Sequence, residues 1–297
     1  MNHLLCFGLG FSAKVLAARL YGEGWRISGT SRSSDGAARI RAMGYDALVF
    51  DGTAPLPASA LDDVTHVLIS VPPDAAGDPV LRQHTDDLAA RAAQFAWVGY
   101  LSTTGVYGDH GGGWVNEDTP LTPNTVRGAR RVAAEADWLD LHRNAGLPLH
   151  VFRLAGIYGP GRNALAALLD GTAQRIVKPG QVFSRIHVED IAAVLGASIA
   201  RPNAGRDYNV GDDKPCPPQE VITYAAGLLG IEPPPAIPFE EADLSPMARS
   251  FYADSKRVSN SRIKTELGVS LAYPSYREGL AALLEELNSG SPRTSTA

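Results

Sequence analysis

Leu4-Leu5-Cys6-Phe7-Gly8-Leu9-Gly10-Phe11-Ser12-Ala13, continued by Lys14 to Leu20, is the stretch on which the fold turns. Leu4 to Phe7 is a continuous apolar run closed by glycine, which predicts a buried central strand, whereas Val15, Leu16, Ala18 and Leu20 recur at helical spacing. Strand, glycine turn and helix in that order match the opening of a dinucleotide-binding unit. Gly8 and Gly10 let the backbone turn tightly and approach a pyrophosphate. Phe11 and Ser12 begin the helix whose unpaired N–H groups face the phosphates, and Ala13 is small enough for that helix to pack on the strand. An ordinary tight strand-to-helix turn has the same local pattern, so the reading leans on its setting.

Composition narrows the classes. A chain of 297 residues, 44% hydrophobic, can bury a large core in one large or two modest domains. Its net charge of −5 offers no basic field for nucleic acid. No apolar run reaches the roughly 18 residues of a membrane span, and Met1-Asn2-His3 leads straight into the first strand without room for a signal peptide, so the expectation is a cytoplasmic protein. Cys6 and Cys216 make neither a disulfide framework nor a metal quartet, and the seven histidines show no paired-ligand spacing, so no metal site is expected.

Outward from the opening turn, Trp25 to Thr30 reads as a second strand that ends in Ser31-Arg32-Ser33-Ser34 without a carboxylate. An acid there accepts from the ribose 2′-hydroxyl of NAD, while an arginine pairs with the 2′-phosphate of NADP. Arg32, with the hydroxyls of Thr30, Ser31 and Ser33, therefore favours NADP; NAD with Asp35 as a late acid is the competing reading. Ala37 to Met43 is helical, and Ala47 to Phe50 is a third strand closed by Asp51-Gly52, where Asp51 faces adenine or caps a turn. Val64 to Val71 is a fourth strand, and Ser70, Val71 and Pro72 stand where a crevice opens at the carboxyl ends of a parallel sheet. A helix over Pro79 to Phe95 and a fifth strand over Trp97 to Ser102 complete five strands alternating with helices. The class is α/β: a Rossmann-type doubly wound parallel sheet.

Tyr100-Leu101-Ser102-Thr103-Thr104-Gly105-Val106-Tyr107-Gly108-Asp109 adds a further motif. Arg153-Leu154-Ala155-Gly156-Ile157-Tyr158-Gly159-Pro160-Gly161, Ser184-Arg185-Ile186-His187-Val188-Glu189-Asp190-Ile191-Ala192 and Tyr208-Asn209-Val210 follow it in order. With the opening turn, these motifs make the chain resemble the extended short-chain dehydrogenase/reductase family, which includes the nucleotide-sugar epimerases and dehydratases. The resemblance runs to about Leu287. The G-x-G-x-x-A turn and the short loops look more like the family's atypical members.

The resemblance implies a hydroxyl residue after the fifth strand and a Tyr-x-x-x-Lys pair on the next helix, with both side chains on one face. Thr103 takes the hydroxyl position, but the helix reads Asn124-Thr125-Val126-Arg127-Gly128-Ala129-Arg130-Arg131-Val132-Ala133-Ala134-Glu135. By register, Arg127 stands at the tyrosine position and Arg131 at the lysine position. Arg131 can still serve a cofactor ribose. Arg127 does not give up a proton at neutral pH. Three readings stay open: another acid among Tyr107, Asp109, His110 and Tyr158; an anionic substrate group held by Arg127 with water as proton source; or a dinucleotide site without turnover. Tyr107 also reads as packing, Asp109 as a turn cap, the ring of Tyr158 as a wall of the cleft, and His110 before Gly111-Gly112-Gly113 as a solvated group on a mobile loop. The resemblance also implies an arginine at Arg185 that meets substrate, whereas Asp190 reads as a helix cap.

Leu149 to Leu154 is a sixth strand, after which composition shifts to proline-punctuated short helices. The expected organisation is a dinucleotide-binding unit over 1–155, a mostly helical region over 156–287 that completes the sheet and forms the substrate lid, and a flexible tail over 288–297. The acidic stretch Phe239-Glu240-Glu241-Ala242-Asp243 argues against a highly anionic substrate beneath the lid, and Lys256 or Arg257 is a candidate to close on substrate. The resemblance implies a homodimer through helices around the fifth strand, although Arg127, Arg130, Arg131 and Glu135 make that helix highly charged. The functional expectation is an NADP-dependent oxidoreductase or epimerase/dehydratase-like enzyme for a small carbonyl or sugar-derived substrate. The alternative is a non-catalytic dinucleotide-binding sensor.

Overall fold

The structure is a computed structural model that describes residues 1–289. Seven strands form one parallel sheet: β1 His3–Phe7, β2 Arg26–Ser31, β3 Asp46–Val49, β4 His66–Ile69, β5 Trp97–Thr103, β6 Leu149–Leu154 and β7 Asp207–Val210. Their order across the sheet is β7-β6-β5-β4-β1-β2-β3. Every pairing is parallel, from Leu4 opposite Ile27 on one side of β1 to Leu4 opposite His66 on the other. Because β1 has β2 on one side and β4 on the other, chain order reverses there, and a crevice opens beyond the carboxyl ends of those strands.

The continuous apolar runs are explained by burial on both faces. All five residues of β1 and all six of β6 are buried. One face of the sheet is covered by α1 (Phe11–Gly22) and α2 (Ser34–Ala42), and the other by α3 (Pro79–Ala90) and α4 (Val126–Ala145). Leu16, Ala17 and Leu20 of α1 and Ile40 of α2 pack on the first face. Val80 and Leu88 of α3, with Ala134 and Trp138 of α4, pack on the second. After α5 (Ala164–Leu169), the chain returns through α6 (Val188–Ala200), which packs beside α1 and delivers β7 to the sheet edge. Tyr158, Leu165, Val221, Tyr276 and Leu280 build a satellite core with α7 (Pro218–Leu229) and the terminal helix over Tyr276–Asn288.

Several local expectations need correction. The helix expected to run to Phe95 stops at Ala90, followed by a 3₁₀ turn over Ala92–Gln94, where the Gln94 amide donates to Leu61 O and Val64 O. The fourth strand is only His66–Ile69, the length over which it pairs with β1. Helix α2 begins three residues before Ala37, because Ser33 caps it by accepting from Gly36 N. Asp190 is not the cap of α6; His187 is, through Nδ1 accepting from Glu189 N. The Asp190 carboxylate instead accepts from Ala272 N and Tyr273 N, pinning the segment before the terminal helix. Asn288 ends that helix, and the rest of the expected tail, from 290 on, lies outside the described residues. Among the described residues no helix is long and apolar enough to cross a membrane.

Candidate active site

The opening turn has the geometry that its glycines predict. Gly8 adopts φ +84°, its N–H donates to Thr30 Oγ1 at 2.8 Å, and a Cβ there would stand 3.1 Å from Val71 Cγ2. A Cβ on Gly10 would meet nothing within 4 Å, so the backbone faces open space. Gly10 is also the N-cap of α1 and supplies no capping side chain, which leaves the first N–H groups of a 12-residue helix free for an anion. This uncapped cradle at the switch point of the sheet fits a dinucleotide pyrophosphate.

Strand β2 ends beside it. Arg32 is exposed, Ser31 is half-buried, and the first turn of α2 follows directly. Two of the hydroxyls expected to help Arg32 are already engaged. Thr30 is buried with its Oγ1 on Gly8 N, and Ser33 Oγ caps α2. Asp51 is exposed in a tight turn in which its Oδ1 accepts from Thr53 N and Thr53 Oγ1, bonds that hold its carboxyl below the usual range.

A cleft of about 850 Å³ runs from this turn along the carboxyl ends of the strands. It brings together Phe11, Ser12, Ser70, Pro72, Thr103, Arg127, Arg131, Tyr158 and Arg185. Thr103 ends β5, and its Oγ1 accepts from Gly105 N at 3.1 Å. Arg131 is held by Nη1, which donates to Tyr100 Oη at 2.8 Å and Leu101 O at 2.9 Å. Arg127, one turn earlier on α4, has no such anchor and lies 4.4 Å over the ring of Phe251, which belongs to α8 (Pro246–Phe251) in the lid. Arg185 Nη1 donates to Phe183 O at 3.1 Å. Arg162 adds a fourth guanidinium to the wall, 5.8 Å over Phe11 at the mouth of α1.

The alternative acids named from sequence are differently placed. Tyr107 is fully buried and is not among the residues lining the cleft. Its hydroxyl donates to Asn209 Oδ1 at 2.7 Å and accepts from Arg153 Nη1 at 3.0 Å, while burial pushes the phenol up to about 12. The Tyr158 ring walls the cleft, but its hydroxyl donates to Ser275 O at 3.3 Å, and burial with Asp212 nearby raises its pKa. Asp109 accepts from Gly111 N and Ser255 N, and His110 N donates to Ser255 O. The glycine loop expected to be mobile is thereby strapped to residues 254–257. Lys256, buried, donates to Gly108 O and Asp254, and Arg257 donates to Gly112 O. These two cations thus hold the loop in place. The acidic stretch at 240–243 does not line the cleft either, which removes the charge argument against an anionic substrate.

Sequence reading missed the floor of the site. Ser102 Oγ donates to Glu135, and Glu135 Oε2 pairs with Arg153 Nη2 at 2.9 Å. Arg153 Nη1 also reaches Asp207 Oδ2 at 2.7 Å, and Asn209 N donates to Glu117 Oε1 at 2.8 Å. Burial opposes the Arg153 charge, yet Glu135, Tyr107 and Asp207 together raise its pKa above the ordinary value. The available signal was a charged residue inside the apolar run Leu149 to Leu154, since a buried cation requires a partner. The partner's identity needs the fold.

Comparison with known proteins agrees with this architecture. The family model for the NAD dependent epimerase/dehydratase family matches residues 8–211. Protein YeeZ of Escherichia coli K12 is 30% identical over 286 residues, spanning 92% of this chain and 97% of YeeZ. A solved structure of a functionally unknown conserved protein from Silicibacter pomeroyi is 59% identical with a TM-score of 0.90, covering 96% of this chain and 99% of that one. The dTDP-glucose 4,6-dehydratase of Bacillus anthracis, solved in complex with NAD, superposes with a TM-score of 0.76 over 98% of each chain at 18% identity, a likeness of fold.

Proposed function

The chain belongs to the NAD dependent epimerase/dehydratase family, and from that premise we propose that it is an NADP-dependent oxidoreductase for a small carbonyl compound that carries a negative charge. The observation that carries this reading is the charge of the cleft. Arg127, Arg131, Arg162 and Arg185 line it, and its one lining carboxylate, Asp254, is already paired with Lys256 at 3.0 Å. A concave wall with several unneutralised guanidiniums favours a phosphate or carboxylate on the ligand. The opening turn would hold the pyrophosphate, Arg32 and the first turn of α2 the 2′-phosphate, and Arg131 the nicotinamide ribose. When bound, the dinucleotide supplies or accepts a hydride. Thr103 orients the carbonyl, and Arg127 binds the anionic group or the oxygen on which charge develops. The missing tyrosine at position 127 favours the second reading, a dinucleotide-binding sensor without turnover.

The test is a titration with NADPH, NADH, NADP and NAD, followed by quenching of the four tryptophans. The phosphorylated pair is expected to bind about tenfold or more tightly, equivalent to about 1.4 kcal/mol. Replacing Arg32 in Arg32→Ser removes most of that preference and leaves NADH binding unchanged. Equal affinity for the two pairs in the parent protein overturns the NADP assignment. Tight NADPH binding with no oxidation by any of a panel of 2-oxo acids favours the sensor.

A further inference from the structure

The cleft contains one more proton-bearing group, and it lies outside every motif discussed above. Tyr252 follows α8 in the lid, lines the cleft and is 9% exposed. Its ring is fixed between Phe183 and Phe239, with centroids 5.3 and 5.1 Å away. Its backbone is fixed too: its N–H donates to Arg249 O, and its carbonyl accepts from the Lys178 ammonium. The hydroxyl makes no hydrogen bond to any described residue, and it is not among the fully buried atoms that lack a partner. A phenol that is held on all sides but free at its oxygen, in the wall of a cleft, is available to a ligand.

Elimination points to the same residue. The four arginines of the wall do not release protons at neutral pH. Tyr158 has its hydroxyl on Ser275 O, and Asp254 and Lys256 pair with each other. Tyr252 shares the lining of the cleft with Thr103, Thr104 and Arg127, and residues on both sides of it in the chain touch that part of the wall. Phe251 meets Arg127, and Lys256 reaches Gly108 O, just beyond Thr103 and Thr104. Burial raises the Tyr252 phenol and Arg185 pulls it down, so at neutral pH the group carries its proton with a cation at hand for the phenolate. Residues 253–256 are not helical, so the four-residue spacing from Tyr252 to Lys256 defines no common face.

Resting on the oxidoreductase reading above, we infer that Tyr252 is the acid of this site. Its Oη–H bond breaks and the proton goes to the carbonyl oxygen of the substrate, while the carbonyl carbon gains a hydride from the reduced nicotinamide dinucleotide. The C=O π bond and the donor C–H bond of the dinucleotide are lost and a C–H and an O–H bond form on the substrate, which is reduced by the two electrons that the dinucleotide gives up. The phenolate, which the positive charge of Arg185 favours, then takes a proton from water.

Two measurements on the full chain test this. In Tyr252→Phe, which retains the packed ring, oxidation of NADPH by glyoxylate, pyruvate or 2-oxobutyrate is expected to fall about 100-fold or more, with NADPH affinity unchanged. The second readout needs no turnover. In protein labelled at the tyrosine ζ carbons, the resonance absent from Tyr252→Phe is followed against pH with NADP and with NADPH bound. These ligands differ in the charge of the nicotinamide ring, so a phenol facing that ring titrates about one pH unit lower with NADP, a tenfold change in proton affinity. Lys178, Arg185 and Asp254 are present in both complexes and cancel. Identical titration with the two ligands, or retained turnover in Tyr252→Phe, overturns the inference and leaves the oxidoreductase reading standing. Failure of the parent protein to bind NADPH overturns both.

Discussion

Acid is expected to unfold this protein earlier than its carboxylates alone would dictate, because several histidines are buried in their neutral form, three of them with large shifts. His66, His150 and His187 are 5%, 0% and 2% exposed, and burial lowers each from 6.5 to about 4. Above pH 6.5 both folded and unfolded chains hold these rings neutral, and their contribution to stability is fully present. As pH falls from 6.5 towards 4 the unfolded chain takes up protons that the folded chain refuses, and stability is lost through that window. Each ring is worth about 3 kcal/mol, on an order-of-magnitude scale. Asp212 works in the opposite sense. Burial raises it to about 7, so it stabilises the fold below the usual carboxylate range and loses that contribution as pH rises through 7. Asp78, Glu117 and Asp190 are raised as well and share its sign.

A variant isolates the histidine effect from these opposing groups. His150 stacks on Trp97 and accepts from Asn203 N through Nε2. His150→Gln retains an acceptor and removes the titration. In urea unfolding, the stability difference between parent and variant is expected to shift by about 3 kcal/mol towards the variant between pH 7 and pH 4. A difference that stays constant over that range would show that His150 does not titrate there.

Arg153→Met is expected to cost about 3–5 kcal/mol of stability, as for other buried ion pairs broken by removing one partner. Glu135 is 1% exposed, and Arg153 is its charged partner, so the substitution leaves an uncompensated carboxylate under the sheet. Ser102, whose hydroxyl rests on Glu135, adjoins Thr103, so the damage extends to the cleft. The double variant Arg153→Met, Glu135→Met removes both charges and is expected to recover much of the loss, because Asp207, the other partner of Arg153, keeps the Arg262 guanidinium at 2.7 Å and no isolated charge remains. Equal destabilisation in single and double variants would mean that packing, rather than charge pairing, dominates at this position.

Lid and floor together give the site its chemistry. The floor holds Ser102, the neighbour of Thr103, through Glu135 and holds Arg131 through Tyr100, whereas Arg127 meets the lid through Phe251. The segment 254–257, whose Lys256 and Arg257 read from sequence as candidates to close on substrate, is the strap that ties the lid to the loop after β5.

The sequence by itself determined the parts that are local in the chain. A four-residue apolar run, two glycines and a helical repeat define the β1–α1 turn, because strand burial and helix amphipathicity are written in residue spacing. The absence of a carboxylate after β2 and the arginines at 127 and 131 are legible for the same reason. Only the tertiary structure decided which groups meet. Glu135 and Arg153 are 18 residues apart, and Tyr107 and Asn209 are 102 apart. Tyr252 lies in a lid with no periodicity to betray it. Spacing along a chain fixes the face of a strand or helix, but a buried charge pair, or a phenol left free in a cleft wall, depends on contacts between elements that the chain joins at a distance.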